Sequence, residues 1–150
     1  ALFALFADML EAPSAWETSS SQDLTALGRL LEHMGEVDGA VSLYQKGAQA
    51  AESARTKLEP LLAQAKLHKR HGEYNRALPL WEQAAADGSL YALEELAKYY
   101  EHSTRQLEKA LAYTNQALRL LETNPDLDVF VRDFLHRQKR LAAKLQRRQA

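Results

Sequence analysis

The chain has 150 residues, of which 46% are hydrophobic, and a formal net charge of −1. This apolar content can fill one substantial core or a short helical array. The near-zero charge gives the whole chain no preference for nucleic acid or for a membrane surface. Cysteine is absent, which excludes disulfides, thiolate zinc sites and cysteine nucleophiles and fits a reducing, cytoplasmic location.

The choice of apolar residues predicts an all-α fold. The chain contains 26 Leu and 25 Ala but only four Val and no Ile, whereas strands favour β-branched residues. Ala, Leu, Glu, Lys and Arg account for 83 residues, which is typical of long or repeated helices. No run of 18 apolar residues is present that could span a bilayer.

The first 21 residues differ from the rest of the chain. Residues 1–12 predict a helix, and its apolar start lacks the basic region of a signal peptide. It also lacks an N-cap, so we expect the helix to join a further domain upstream. Residues 13–21 predict a linker, in which Trp16 is expected to dock on the helices that follow.

Three similar segments follow, at residues 22–56, 57–88 and 89–124. Each has a small residue in a first helix, then a turn, then a second helix with an Ala-x3-large pattern. The small residues are Gly28, Ala65 and Ala97, and the second helices carry Ala40-x3-Tyr44, Ala77-x3-Trp81 and Ala110-x3-Thr114. The pattern resembles the tetratricopeptide repeat, a helix–turn–helix of about 34 residues. The resemblance implies an α-solenoid of three repeats over residues 22–124.

The residue types suit that packing. Small residues allow two helices to cross closely, and Tyr44 and Trp81 would fill the space one turn later. Gly35 and Gly72 are expected to end their helices in the left-handed conformation, which glycine adopts most easily. In the third copy the residues 102–106 replace this glycine turn.

The periodicity predicts helix boundaries and the positions of the prolines. Pro60 and Asn124-Pro125 are expected to begin helices, Gly88-Ser89 to end one and start the next, and Pro79 to bend a helix. The predicted helices are 22–34, 37–54, 59–71, 74–86, 89–102, 107–122 and 125–148.

Residues 125–150 predict a basic helix that caps the open end of the array. An apolar stripe would face the repeats. The stripe consists of Leu127, Phe130, Phe134, Leu141 and Leu145. A partner-binding face is the alternative interpretation of this stripe.

A second resemblance covers the last half of the chain. It rests on the stretch from Gly72 to Glu82 and on the run Leu-Ala-Lys-Tyr-Tyr-Glu-His at residues 96–102. These segments are similar to the helical region that follows the catalytic domain of some bacterial ribonuclease-H-like exonucleases. The resemblance implies an appended interaction module, with the metal-binding carboxylates upstream of Ala1 and none carried over to this chain.

No motif predicts catalysis in these residues. A glycine-rich phosphate loop, a G-x-S-x-G elbow and an H-E-x-x-H motif are all absent. His68 and His71 share a helix face, but no third ligand is placed by spacing, so neither a metal nor a cofactor is expected. Glu94, Glu95 and Glu101 are interpreted as ordinary solvated helix charges.

A basic column predicts a peptide-binding groove. Arg29, Lys66 and Lys98 each follow the small residue of their copy, and in a tetratricopeptide array this position points into the concave face. Such a groove would hold an acidic peptide or a terminal carboxylate. The rest of the groove would comprise Lys69, Arg70, Gln22, Thr25, Leu62 and Tyr91, with Glu32, Glu94 and Glu101 in its wall. The alternative is that Lys and Arg are simply common on helix surfaces.

The C-terminal helix carries a second cluster of charge. Residues 126–150 contain seven basic and three acidic residues, whereas the rest of the chain contains 12 and 17. Six cations there predict phosphate contact, although basic residues also suit a helix C-terminus. The six are Arg137, Lys139, Arg140, Lys144, Arg147 and Arg148.

Three functions therefore remain open. Non-catalytic protein or peptide binding is favoured, and a nucleic-acid-contacting exonuclease module is the alternative. A structural or dimerising domain is the third, and its sign would be exposed apolar residues on helix 1–12.

Overall fold

The computed structural model describes residues 19–124 and 129–149. The predicted helix 1–12, Trp16 with most of the linker, and Leu127 lie outside these ranges. The described residues form seven α-helices and no strand, which confirms the all-α class for this part of the chain. The helices are α1 Ser21–His33, α2 Val37–Gln49, α3 Ala54–Arg70, α4 Tyr74–Ala86, α5 Leu90–His102, α6 Leu107–Glu122 and α7 Val131–Gln149.

The chain divides into two compact units, residues 1–77 and residues 78–150, and the division falls within α4. None of the helices in the described ranges combines the length and the apolar run that crossing a bilayer requires.

Two helix boundaries differ from the sequence prediction because of a capping box. Helix α2 ends at Gln49 rather than at residue 54, and α3 begins at Ala54 rather than at residue 59. The Ser53 hydroxyl accepts a hydrogen bond from the Thr56 N–H at 3.2 Å, and the Thr56 hydroxyl accepts one from the Ser53 N–H at 3.1 Å. The reciprocal pair fixes the start of α3. By contrast, α4 and α6 have the predicted boundaries.

Pro60 lies inside α3, so the prediction that it begins a helix was wrong. A proline has no N–H to donate to the carbonyl four residues earlier, here that of Thr56. The Ser21 hydroxyl of α1 donates to this carbonyl instead, at 3.4 Å. A contact from another helix therefore compensates part of the cost of an interior proline. Pro79 also lies inside its helix, α4, as predicted.

In the first unit, α1 packs against α2 and α3, and α2 packs against α3. Gly28 is buried at the crossing of α1 and α2, where an added Cβ would lie 2.7 Å from Cε1 of Tyr44. Gly28 therefore lies where the two helices approach closely, and its neighbour there is the Tyr44 ring. The buried apolar core consists of Leu24, Leu31, Ala40, Leu43, Tyr44 and Leu67.

In the second unit, α5 packs against α6, and α6 packs against α7. Ala97 and Ala110, the predicted small residues of the third copy, are fully buried. The rings of Tyr100 and Tyr113 stack with centroids 5.6 Å apart, and burial raises the pKa of both phenols. Other buried side chains of this unit are Trp81, Leu93, Leu96, Thr114, Leu121, Phe134 and Leu141.

The turns confirm the predicted glycine positions. Gly35, Gly72 and Gly88 have φ angles of 84°, 72° and 83°. The turn that lacks glycine places Arg105 in the same region, at φ 55°. A non-glycine residue is strained there because its Cβ approaches the backbone.

Side chains also form hydrogen bonds at the start of α5 and at the end of α6. The Ser89 hydroxyl accepts from the Ala92 N–H at 3.2 Å, as expected of an N-cap. The Asn124 amide instead donates to the Leu120 carbonyl at 2.7 Å, so it closes the end of α6. The predicted start of the last helix at residue 125 lies outside the described residues, and α7 is described from Val131.

Candidate functional site

The first predicted site residues lie on a surface formed by α1 and α3 in the first unit. Nη2 of Arg29 on α1 is 2.9 Å from Oε1 of Glu59 on α3, and both side chains are about half exposed. Arg70 on α3 pairs in the same way with Glu32 on α1. The first helices of two successive copies therefore lie side by side. We call this surface, with Gln22, Arg29, Lys66 and Glu59, the α1–α3 face.

Arg70 takes part in a network of side-chain contacts that joins three helices. Its guanidinium contacts the carboxylate of Glu32, which also accepts a hydrogen bond from the Tyr44 hydroxyl on α2. Burial raises the pKa of the Tyr44 phenol, and the hydrogen bond to Glu32 raises it further. Glu32 thus joins three helices, and Arg70 is occupied in holding it.

The other predicted groove residues of this unit differ in exposure. Lys66 and Gln22 are exposed, and Lys66 has no ion pair within the described part of the chain. Leu62 and Lys69 are partly buried. Thr25 is only 1% exposed, and its hydroxyl donates to the Ser21 carbonyl at 2.6 Å. Thr25 therefore packs inside the unit, so it offers no open wall to a ligand.

The histidine pair does not form a metal centre. His68 is buried, with Nδ1 2.7 Å from Oε2 of Glu73, whereas His71 is exposed. The hydrogen bond with His68 is the main cause that lowers the pKa of Glu73. Residues 19–124 and 129–149 contain no group of three His, Asp or Glu side chains that could hold a metal ion. The His68–Glu73 contact joins the end of α3 to the turn before α4.

Two predicted groove residues belong to the second unit. Nζ of Lys98 lies 2.8 Å from Oε1 of Glu94 and 3.4 Å from Oε1 of Glu95, all on α5. Tyr91, on the same helix, is 40% exposed. Lys98 is therefore partly neutralised by carboxylates of its own helix.

The interpretation of Glu95 and Glu101 as solvated charges was wrong, because both are buried. The Glu101 side chain on α5 has no exposed surface and lies beneath cations of α7. Arg140 donates to both of its oxygens, from Nη2 at 2.8 Å and from Nε at 3.1 Å. Nζ of Lys144 is 2.8 Å from Oε1, and Nη1 of Arg137 is 3.6 Å from Oε2. Three cations on one face of α7 thus converge on a single carboxylate.

These contacts shift the ionisation of Glu101. Burial by itself would raise the pKa of this carboxyl group, because a charge is less stable away from water. The hydrogen bonds and charges of Arg140 and Lys144 outweigh burial and lower the pKa to about 2. Glu101 is therefore ionised at neutral pH and holds α5 to α7.

Only some of the six cations that were predicted to contact phosphate belong to the cluster around Glu101. Arg137, Arg140 and Lys144 surround Glu101, so half of the six cations neutralise an internal acid. Nη1 of Arg148 donates to the Arg105 carbonyl at 3.3 Å. Lys139 and Arg147 are exposed, and neither pairs with a carboxylate in the described ranges. The spacing 137, 140, 144 was the signal for the cluster, since it places three cations on one helix face.

A groove between α6 and α7, which the sequence did not predict, has a volume of about 680 Å³. Leu118 and Arg119 of α6 and Val131 and Leu135 of α7 contribute to its lining. Phe130 beside it is 47% exposed, so its predicted place on the inward stripe was wrong. Phe134, Leu141 and the partly buried Leu145 do face inward.

The sequence matches no known protein family, and no curated protein is significantly similar to it. The function of the chain is therefore argued from its own side chains.

Proposed function

We propose that this chain is a non-catalytic, tetratricopeptide-like module that binds a protein or peptide segment on the α1–α3 face. The observation that carries the proposal is the packing of α1 beside α3, each also in contact with α2. The close crossing at Gly28 and Tyr44 supports the same repeat geometry. In such arrays the first helices of successive repeats form the ligand-binding surface.

The charges on the α1–α3 face favour an acidic ligand. Lys66 is exposed and available, and Arg29 is held only by Glu59 in a solvent-exposed pair. An exposed pair contributes at most about 1 kcal/mol, so a ligand carboxylate can replace Glu59 at little cost. Arg70 is excluded as a ligand-binding cation because it contacts Glu32, a carboxylate that the Tyr44 hydroxyl also holds in place. We therefore assign carboxylate recognition to Lys66 and Arg29.

Fluorescence anisotropy with a labelled acidic octapeptide tests this assignment, using one form with a free C-terminus and one amidated form. The double variant Lys66→Glu/Arg29→Glu is expected to weaken binding by about tenfold or more, because two attractive charges become repulsive. The matched control is Arg55→Glu, an exposed charge reversal on the same helix α3. Equal affinity of the double variant and the control for the peptide would contradict the proposal.

Nucleic-acid contact through α7, as part of an exonuclease, is the alternative function. Of the six cations that were predicted to contact phosphate, three lie outside the Glu101 cluster, namely Lys139, Arg147 and Arg148. Phosphate contacts weaken steeply with salt. A mobility-shift titration with single- and double-stranded DNA and RNA at low and moderate salt tests the alternative, and no shift at low salt would exclude it.

A further inference from the structure

Exposed apolar side chains concentrate at the start of α7. The described residues expose five large hydrophobic side chains, and three of these lie within seven residues of one another. Val129 is 78% exposed, Phe130 47% and Leu135 41%. Scattered exposed apolar residues are normal on a protein surface, but a cluster beside a groove is typical of an interaction site.

The cluster adjoins the groove between α6 and α7. Leu118 of α6 and Val131 and Leu135 of α7 line this groove. Val131 and Leu135 also line a second hollow of about 450 Å³, together with Arg132 and Lys139. The two hollows share an apolar ridge along one side of α7. Together they form one surface, which we call the α6–α7 surface.

The charges that border the α6–α7 surface are mostly basic and lack partners. Arg119, Arg132, His136 and Lys139 line it, and among the described residues Glu122 is the acidic residue of its lining. None of the three cations forms an ion pair in the part of the chain that the structure describes. On the opposite face of α7, by contrast, Arg137, Arg140 and Lys144 are engaged by Glu101. The exposed apolar residues at the start of α7 are therefore bordered by uncompensated positive charge.

We propose that the α6–α7 surface is a second docking site, and that its ligand is an acidic amphipathic helix. Apolar residues of the ligand at positions i, i+3, i+4 and i+7 would enter the groove beside Leu118, Val131 and Leu135. Acidic residues on the flanks of the ligand would meet Arg119 on one border and Arg132 and Lys139 on the other. This site is separate in chemistry from the α1–α3 face, since it requires a continuous apolar stripe as well as carboxylates.

Two labelled 14-residue peptides test the proposal. Both carry Leu at the helical positions named above, and one has Glu and the other Lys at the flanking positions. The Glu peptide is expected to bind at least about tenfold more tightly than the Lys peptide in a fluorescence anisotropy titration at moderate salt. Leu135→Ala and the double variant Arg132→Glu/Lys139→Glu should each weaken the Glu peptide about fivefold or more.

The controls separate this site from general charge effects and from self-association. Arg55→Glu on α3 and Arg147→Glu, a charge reversal on α7 away from the α6–α7 surface, should each change the affinity for the Glu peptide less than twofold. Circular dichroism confirms that each variant keeps its helix content. Equal binding of the two peptides, or insensitivity to the Leu135 and Arg132/Lys139 changes, would overturn the proposal. It would also be overturned if sedimentation showed a dimer that Leu135→Ala dissociates, because the occupant would then be a second copy.

Discussion

Glu32 in the first unit and Glu101 in the second occupy the same position of their sequence copies, four residues after the small residues Gly28 and Ala97. Each carboxylate joins the first helix of its copy to a later helix. Glu32 is 18% exposed and meets one arginine, Arg70, whereas Glu101 is completely buried and is met by three cations. The deeper carboxylate therefore has the larger set of compensating charges.

The second helices explain this difference. Tyr44 of α2 donates its hydroxyl to Glu32, but the corresponding residue in the second unit is Thr114. The Thr114 hydroxyl donates instead to the Ala110 carbonyl of its own helix at 2.8 Å, so it forms no hydrogen bond with Glu101. The cations of α7 replace the missing donor. An acid at one repeat position can thus be satisfied from either side, by an aromatic hydroxyl or by a following helix.

The largest expected effect is the loss of the Glu101 charge. Glu101→Gln should lower the free energy of unfolding of the second unit by about 3 kcal/mol, because Arg137, Arg140 and Lys144 all lose the buried carboxylate that they surround. Glu32→Gln should cost the first unit about 1 kcal/mol, since Arg70 is half exposed and Tyr44 keeps an acceptor. Native-state hydrogen exchange, resolved by helix, measures both changes. Equal costs would show that burial does not set the difference between the two units.

The stabilities of the two units should depend on pH through different side chains. The pKa of Glu101 is lowered from 4.5 to about 2, so its contribution is complete above about pH 4.5 and is lost as the pH falls towards 2. The pKa of Tyr44 is raised above 10, so its contribution is complete below pH 10 and declines as the pH rises further.

We therefore expect the contacts of α7 with Glu101 to weaken in acid. In alkali the first unit should lose the contribution of Tyr44, and the second unit should lose those of Tyr100 and Tyr113, whose pKa values burial also raises. Each linked group contributes up to about 1.4 kcal/mol per pH unit within its window. Hydrogen exchange, or NMR of the aromatic and amide signals, measures the loss of protection over the acid and the alkaline pH ranges. Glu101→Gln and Tyr44→Phe should each flatten the response of their own unit and leave that of the other intact.

The helix crossings give a third contrast. Gly28→Ala should destabilise the first unit by about 1–2 kcal/mol, because the new Cβ would lie 2.7 Å from the Tyr44 ring. In a Tyr44→Thr background, which copies the Ala97 and Thr114 pair of the second unit, the same change should instead gain up to about 1 kcal/mol from helix propensity. Urea denaturation of the wild type, the two single variants and the double variant gives the coupling free energy between positions 28 and 44. If Gly28→Ala destabilises the protein in both backgrounds, the Tyr44 ring is not the reason that glycine is required at position 28.

The smallest expected effects concern the turns. Arg105→Gly should stabilise the second unit by about 0.5–1 kcal/mol by relieving the positive φ, whereas Gly35→Ala should destabilise the first unit by about 1 kcal/mol. Thermal denaturation followed by circular dichroism is sufficient to rank them. If Arg105→Gly lowers the melting temperature, the Arg105 side chain must have a role beyond the turn.

The sequence was sufficient for the features that depend on local pattern. The boundaries of α4 and α6, the three left-handed glycines and the burial of the small residues all follow from helical periodicity and turn chemistry. It was insufficient where a residue depends on a distant partner. Pro60 is tolerated within α3 because Ser21 reaches the carbonyl of Thr56, 35 residues away. No local signal contains that contact.

The candidate sites show the same division. The exposure of Lys66 and Arg29 could be predicted from their place in the repeat. The burial of Glu101 could not, because it depends on cations 39 and 43 residues later. The α6–α7 surface was missed because Phe130 was assigned to the inward stripe before the start of α7 was known. The residue at which α7 begins therefore determines which of its apolar residues are exposed.

The interior proline of α3 also affects how the first unit opens. The first turn of α3 is joined to the rest of that helix by one hydrogen bond fewer, and the Thr56 carbonyl relies on a hydroxyl at the first residue of α1. Fraying of either helix start therefore removes a partner from the other. Glu52 and Ser53, just before α3, are exposed. Partial unfolding should begin at these two linked ends, and a protease should cut between α2 and α3 before it cuts within either helix.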